Sequence, residues 1–186
     1  MAVLKPRSRH LWFAWLLVVA VLSAAPPAKI SPEYAYKAGL LSKLDQFVEW
    51  PARAFRDAQS PLVIGVLGED PFDSYLDELV LGEKIGERSI IVRRFRQGDD
   101  VADCHILFIS RSEAGQFEKI ISALAGHSVL TVGEDDGFEH AGGIVRFAVE
   151  GGKIRLRINP DAAKAADLTI SSKLLRLATL VTKEKG

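Results

Sequence analysis

Cys104-His105-Ile106-Leu107-Phe108-Ile109-Ser110 is a short, unbroken apolar run of branched and aromatic residues. Such a run fits a strand buried on both faces, as in a parallel sheet covered by helices. Asp99-Asp100 makes a polar turn upstream. Downstream, Ser110 closes the strand and Ser112 is placed to cap a helix, its hydroxyl accepting from first-turn amides. That helix is expected over residues 113–124, with Phe117, Ile120, Ile121 and Leu124 on one face and Gly126 as its C-terminal stop. Val129-Leu130-Thr131-Val132 is a second apolar strand. Strand, helix and strand form a βαβ unit, and such crossovers are right-handed almost without exception.

Outward from this unit the same logic gives the rest. Ser31-Pro32-Glu33 opens a helix with a capping serine, a proline suited to the first helical position and an acid at the positive end of the dipole. Its wide apolar stripe includes Tyr34, Ala38, Leu41, Leu44, Phe47 and Val48, and Pro51 is expected to end it just after Trp50. Leu62 to Leu67 is a second continuous apolar strand, and residues 72–81 are expected to form a helix with Leu76, Leu79 and Val80 inward. Lys84-Ile85 is a short extended piece and residues 89–95 a strand with a wet far end. Ile144 to Val149, Glu150-Gly151-Gly152 and Lys153 to Ile158 form a hairpin, since adjacent glycines supply positive φ without penalty. In the return strand, Ile154, Leu156 and Ile158 form the buried face and Lys153, Arg155 and Arg157 the wet one. Asn159-Pro160-Asp161 starts a short helix to Asp167, and Ser171 or Ser172 caps a last one running to about Thr182. The predicted fold is a single α/β domain over residues 31–182: a mostly parallel central sheet flanked by helices, with a C-terminal β-hairpin.

Nearly half of the 186 residues are hydrophobic, enough for a substantial core. Residues 1–28 carry Lys5, Arg7 and Arg9 and no acid, followed by the apolar run Leu11 to Leu22 and the small residues Ser23-Ala24-Ala25. This is the pattern of a secretory signal peptide with a short linker, and it is brief for a membrane span. The domain is therefore expected to be periplasmic in a bacterial host, exported and cleaved, or held by an uncleaved anchor. Beyond residue 28, 21 basic residues face 24 acidic ones, a net of −3. A mildly acidic domain without a clustered basic face is a poor nucleic-acid binder.

No constellation assembles catalytic machinery. Gly65-x-x-Gly68 lies between a strand and a helix, but a third glycine is missing and Asp70 sits where phosphate would bind. Glu134-Asp135-Asp136 with His140 is the densest set of potential cation ligands, but its spacing matches no EF-hand loop and it reads as a solvated turn. Cys104 and His105 are adjacent on a strand and point to opposite faces, so they cannot act as a nucleophile–base pair. Cys104 is the only cysteine, so an intrachain disulfide is impossible; the lone thiol is a core residue or pairs with another chain. No catalytic residue, cofactor or metal is assigned. Phe47, Trp50, Phe55 and Tyr75 are the candidates for a partner-binding face, with Trp50 the only tryptophan beyond the leader.

Several segments in order resemble the YfiR-like periplasmic regulators. They are Tyr34-x-x-Lys37-Ala38 with Phe47-Val48-Glu49-Trp50-Pro51, Ile64 to Phe72, Cys104 to Ser110, Leu130-Thr131-Val132-Gly133 with Gly137-Phe138, Gly142-Gly143-Ile144, Ile158-Asn159-x-x-Ala162-Ala163 and Ser171 to Ala178. The resemblance spans roughly residues 33–180. It implies an α/β sandwich and a non-enzymatic regulator that dimerises. It also implies a partner, the periplasmic part of an inner-membrane diguanylate cyclase or sensor kinase, and an OmpA-type outer-membrane lipoprotein that sequesters the regulator. In many relatives a cysteine, expected to pair with the one at Cys104, stands where this chain has Gly65. The alternative is a small-molecule-binding sensor domain.

Overall fold

A computed structural model of the protein describes residues 30–182. Its elements in chain order are α1 (Pro32–Leu41), β1 (Val48–Glu49), β2 (Leu62–Leu67), α2 (Ser74–Val80), β3 (Lys84–Ile85), β4 (Arg88–Phe95), β5 (Ile106–Ile109), α3 (Phe117–Ala123), β6 (Leu130–Gly133), β7 (Val145–Glu150), β8 (Lys153–Ile158), α4 (Pro160–Ala165), β9 (Thr169–Ile170), α5 (Ser172–Leu177) and β10 (Thr179–Leu180). Eight strands form one sheet in the order β10-β8-β7-β6-β5-β2-β4-β3, and β1 pairs with β9 in a small second sheet. The pairs β2/β4, β2/β5, β5/β6 and β6/β7 are parallel, while β7/β8 is an antiparallel hairpin. The mostly parallel α/β domain with its C-terminal hairpin is the architecture the apolar runs predict. The predicted leader in residues 1–28 lies outside the described residues.

Alternation along β2 divides the core. Leu62, Ile64 and Val66 join Phe72, Leu76, Ile106, Phe108 and Phe147 on the face covered by α1 and α2. Val63 and Leu67 join Cys104, Leu107, Phe117 and Phe138 on the face covered by α3. The strands are buried on both faces because helices lie on each side, which is why they read as continuous apolar runs.

Several boundaries, and the burial of one side chain, differ from the predicted ones. The first helix ends at Leu41, not Trp50: the Ser42 hydroxyl donates to Gly39 O at 3.0 Å and its amide to Ala38 O at 2.9 Å. After a 3-10 turn, Val48 and Glu49 pair with Ile170 and Thr169, a partnership more than a hundred residues distant that overrides the local helical stripe. The helix after β5 is capped at Ser110 and begins as 3-10 turns over Arg111–Gln116. Ser112 does not cap it because its hydroxyl accepts the Glu69 amide at 2.9 Å, tying the end of β2 to that of β5. The last helix stops at Leu177, and Thr179–Leu180 adds β10 alongside β8, in parallel. Finally, Arg157 is half-buried rather than wet, held at 2.9 Å by the buried Glu139.

Candidate functional site

The amino ends of β2, β5 and β6 open into a cavity of about 460 Å³ lined among others by Arg53, Phe55, Arg93, Cys104, His105 and His127. His105 organises it. The Val63 amide donates to its Nδ1 at 3.1 Å, so the proton is on Nε2, which donates to Ala54 O at 3.1 Å. Phe55 stacks on the imidazole with centroids 4.3 Å apart, and Trp50 meets it edge-on at 6.3 Å. Trp50 Nε1 also donates to His105 O at 3.2 Å. The Arg88 guanidinium lies over the Phe55 ring at 3.9 Å and donates to Asp57 O and Ser60 O. The segment Trp50–Phe55 is thus clasped to the sheet by one buried ring, and burial holds that imidazole's pKa below its ordinary value.

Around the rim, Arg53 pairs with Asp167 and Arg56 with Asp103. Arg93 has no carboxylate within salt-bridge distance among the described residues. Cys104 is 3 % exposed, and burial pushes its thiol up to about 12. A protonated thiol of this kind is a poor nucleophile and metal ligand. A Cβ added at Gly65 would lie 2.6 Å from Cys104 Sγ, so these positions face each other across β2 and the entry to β5.

The structure joins Trp50 and Phe55 through His105. Phe47 and Tyr75 are half-buried elsewhere against the main core; neither lines the cavity nor stacks on His105, and the Lys173 ammonium lies 5.8 Å from the Phe47 ring. His105 itself went unassigned by sequence reasoning; the only signal was a histidine opening an otherwise apolar strand.

At the opposite, carboxyl ends of the parallel strands lies a second charged cluster. Lys37 is fully buried and pairs with both Glu33 and Glu134. Tyr34 donates to Glu134 Oε1 at 3.0 Å, and Arg111 Nε lies 3.3 Å from the same oxygen. Burial, then the Glu134 charge, pushes the Tyr34 phenol up to about 12. The acidic loop disperses: Glu134 serves Lys37, Asp135 lies near Arg111, and Asp136 pairs with Arg146. Among the described residues no three His, Cys, Asp or Glu side chains are placed to hold a metal ion. Chain order reverses between β2 and β5, the place where open α/β sheets bind ligands. Here that crevice is filled: at Gly68 (φ +91°) an added Cβ would strike the Ser112 hydroxyl and lie 2.9 Å from Glu113 Cγ. No phosphate could enter without displacing them.

No protein of curated function matches the chain. Among solved structures, a conserved domain protein from Vibrio cholerae O1 biovar El Tor superposes with a TM-score of 0.51 at 17 % identity, over 80 % of this chain and 60 % of that one. The chain therefore spans less than two thirds of that protein's length, and the likeness is one of fold. The family described as YfiR/HmsC-like matches residues 34–179, from the first turn of α1 into β10. Because that match takes in both the sheet and the His105 cavity, the chain belongs to the YfiR/HmsC-like family.

Proposed function

We propose that this protein is a periplasmic regulatory binding protein that represses a membrane-bound diguanylate cyclase, or a related sensor enzyme, and so lowers cyclic-di-GMP signalling and biofilm formation. The family match across the whole domain carries the reading. It acts by preferring the inactive state of its partner, since a ligand shifts an equilibrium only by its differential affinity for the two states. Residues 1–28 export it, and it works as a homodimer that an OmpA-type outer-membrane lipoprotein sequesters, which releases the cyclase. Of the four aromatic candidates, Trp50 and Phe55 are the ones we assign to the partner face. Both are half-exposed and both pack on His105, Phe55 lining the cavity beside it, an arrangement in which aromatic anchors are effective. Deleting the gene should raise cellular cyclic-di-GMP, and the wild-type chain supplied in trans should restore it. Unchanged levels on deletion would remove this reading.

A second reading is favoured by the arginine-rimmed cavity: a sensor domain in which a small molecule sits beneath the Trp50–Phe55 segment. A thermal shift on a metabolite panel, lost in Arg93→Ala, would support it.

A further inference from the structure

β4 is eight residues long, but its outer neighbour β3 pairs with it only at Arg88 and Ser89. On the inner side β2 covers Ile90 to Phe95. The Phe95 carbonyl accepts the Gly68 amide inward, whereas the Ile90 amide donates outward to Glu83 O. Strand alternation then turns the N–H and C=O of Val92 and Arg94 outward as well. No backbone group among the described residues bonds to them on that side. The bare stretch from Ile91 to Phe95 is about 17 Å long, the length of an ordinary strand.

The charges beside this edge say what can lie on it. Arg94 is spent on Asp70 and Asp77. Neither Arg93 nor Arg96 has a carboxylate within salt-bridge distance among the described residues, and Arg93 is exposed. A second copy paired here about a two-fold axis would bring Arg93, Arg94 and Arg96 against the same three arginines, and like charges across strands repel. Unsolicited strands are deterred in the same way. An extended segment carrying carboxylates would gain both the open backbone ladder and the free guanidinium groups. The edge is also continuous with the aromatic face, because Arg88 at the start of β4 lies over Phe55.

We propose that the outer edge of β4, from Ile91 to Phe95, receives an extended acidic segment of the protein's partner as an added strand, with Arg93 and Arg96 selecting its charge. The inference rests on the binding-protein reading above and names the chemistry of the partner. The test uses the purified protein and a capped octapeptide alternating valine and glutamate, beside its valine–lysine counterpart. With the glutamate peptide, amide exchange at Val92 and Arg94 should slow by about tenfold or more. The lysine peptide should leave it unchanged. Val92→Pro removes one outward N–H and spares the inner ladder, where edge proline is tolerated. It should weaken binding by about tenfold, as should Arg93→Glu combined with Arg96→Glu, which keeps the backbone intact. No added protection at saturating glutamate peptide, equal binding of the lysine peptide, or full binding by the doubly reversed variant would overturn the proposal. Those failures would leave the gene-deletion result untouched, so the two readings fall separately.

Discussion

His105 shows how one residue can set a property of the whole domain. In the folded chain its Nδ1 is already an acceptor and its ring is packed between aromatic groups, so a second proton has nowhere favourable to go. The unfolded chain takes that proton near the ordinary value of 6.5, the folded one only at lower pH. The contribution to stability is therefore present above 6.5 and lost as pH falls through the depressed folded-state value. Denaturant unfolding should give a smaller free energy at about pH 5.5 than at about pH 7.5, and His105→Gln should flatten that part of the difference. Gly65 gives a second case, in which the sign depends on redox state. Its Cβ position is crowded by Cys104 Sγ at 2.6 Å, Leu107 Cδ1 at 2.9 Å and Phe95 Cε2 at 3.1 Å. Reduced Gly65→Cys should lose about 1–3 kcal/mol through overpacking. Oxidised, with a bond to Cys104 in place of the clash, it should recover and gain about 2–4 kcal/mol over its reduced form. Thiol counting and melting with and without reductant decide it; two free thiols after oxidation would refute the pairing.

Between elements, the most consequential bond joins α1 to the end of β6 through Lys37 and Glu134, with no water-exposed side chain surface on the lysine. Removing one partner strands the other in the interior. Lys37→Met or Glu134→Leu alone should each cost about 3–5 kcal/mol, whereas the two together should cost less than the sum, because neither charge then faces an apolar partner in the interior. Urea titrations of the three variants measure the coupling directly. This pair also marks the limit of what could be read from the chain. Local signals were legible: Ser31 and Asn159 cap their helices, Gly151 and Gly152 take positive φ at the hairpin, and among the described residues the continuous apolar runs Leu62–Leu67 and Ile106–Ile109 are strands. What failed was decided by distant partners. The stripe through Val48 looked helical, but Thr169 and Ile170 recruit Val48 and Glu49 into a strand. Trp50 and Phe55 were recognisable as candidate anchors, while the imidazole that unites them comes from β5's approach, fifty residues on. Nothing local marks Lys37 as interior; a carboxylate 97 residues away makes it so.

At the scale of the whole molecule, the sheet has apolar cores on both faces that meet only through its backbone, so loosening one exposes the strands that support the other. Such a domain should open as a unit. Cys104 is a built-in reporter of that opening. It lies in the core beneath α3 yet borders the His105 cavity, so a reagent could reach it by global unfolding or through the cavity mouth. The thiol is raised to about 12, so the native protein should hold almost no thiolate at about pH 8. Labelling with a thiol-specific disulfide reagent should then be slow in buffer and rise with denaturant along the same slope as global unfolding. One thiol should react per chain once unfolded. A fast native reaction with shallow denaturant dependence would mean that the Trp50–Phe55 segment lifts away while the sheet stays folded. Slowing of that reaction by a small molecule would then shift the balance from the partner-docking reading toward the sensor one, since the ligand would be holding closed the clasp that His105 makes.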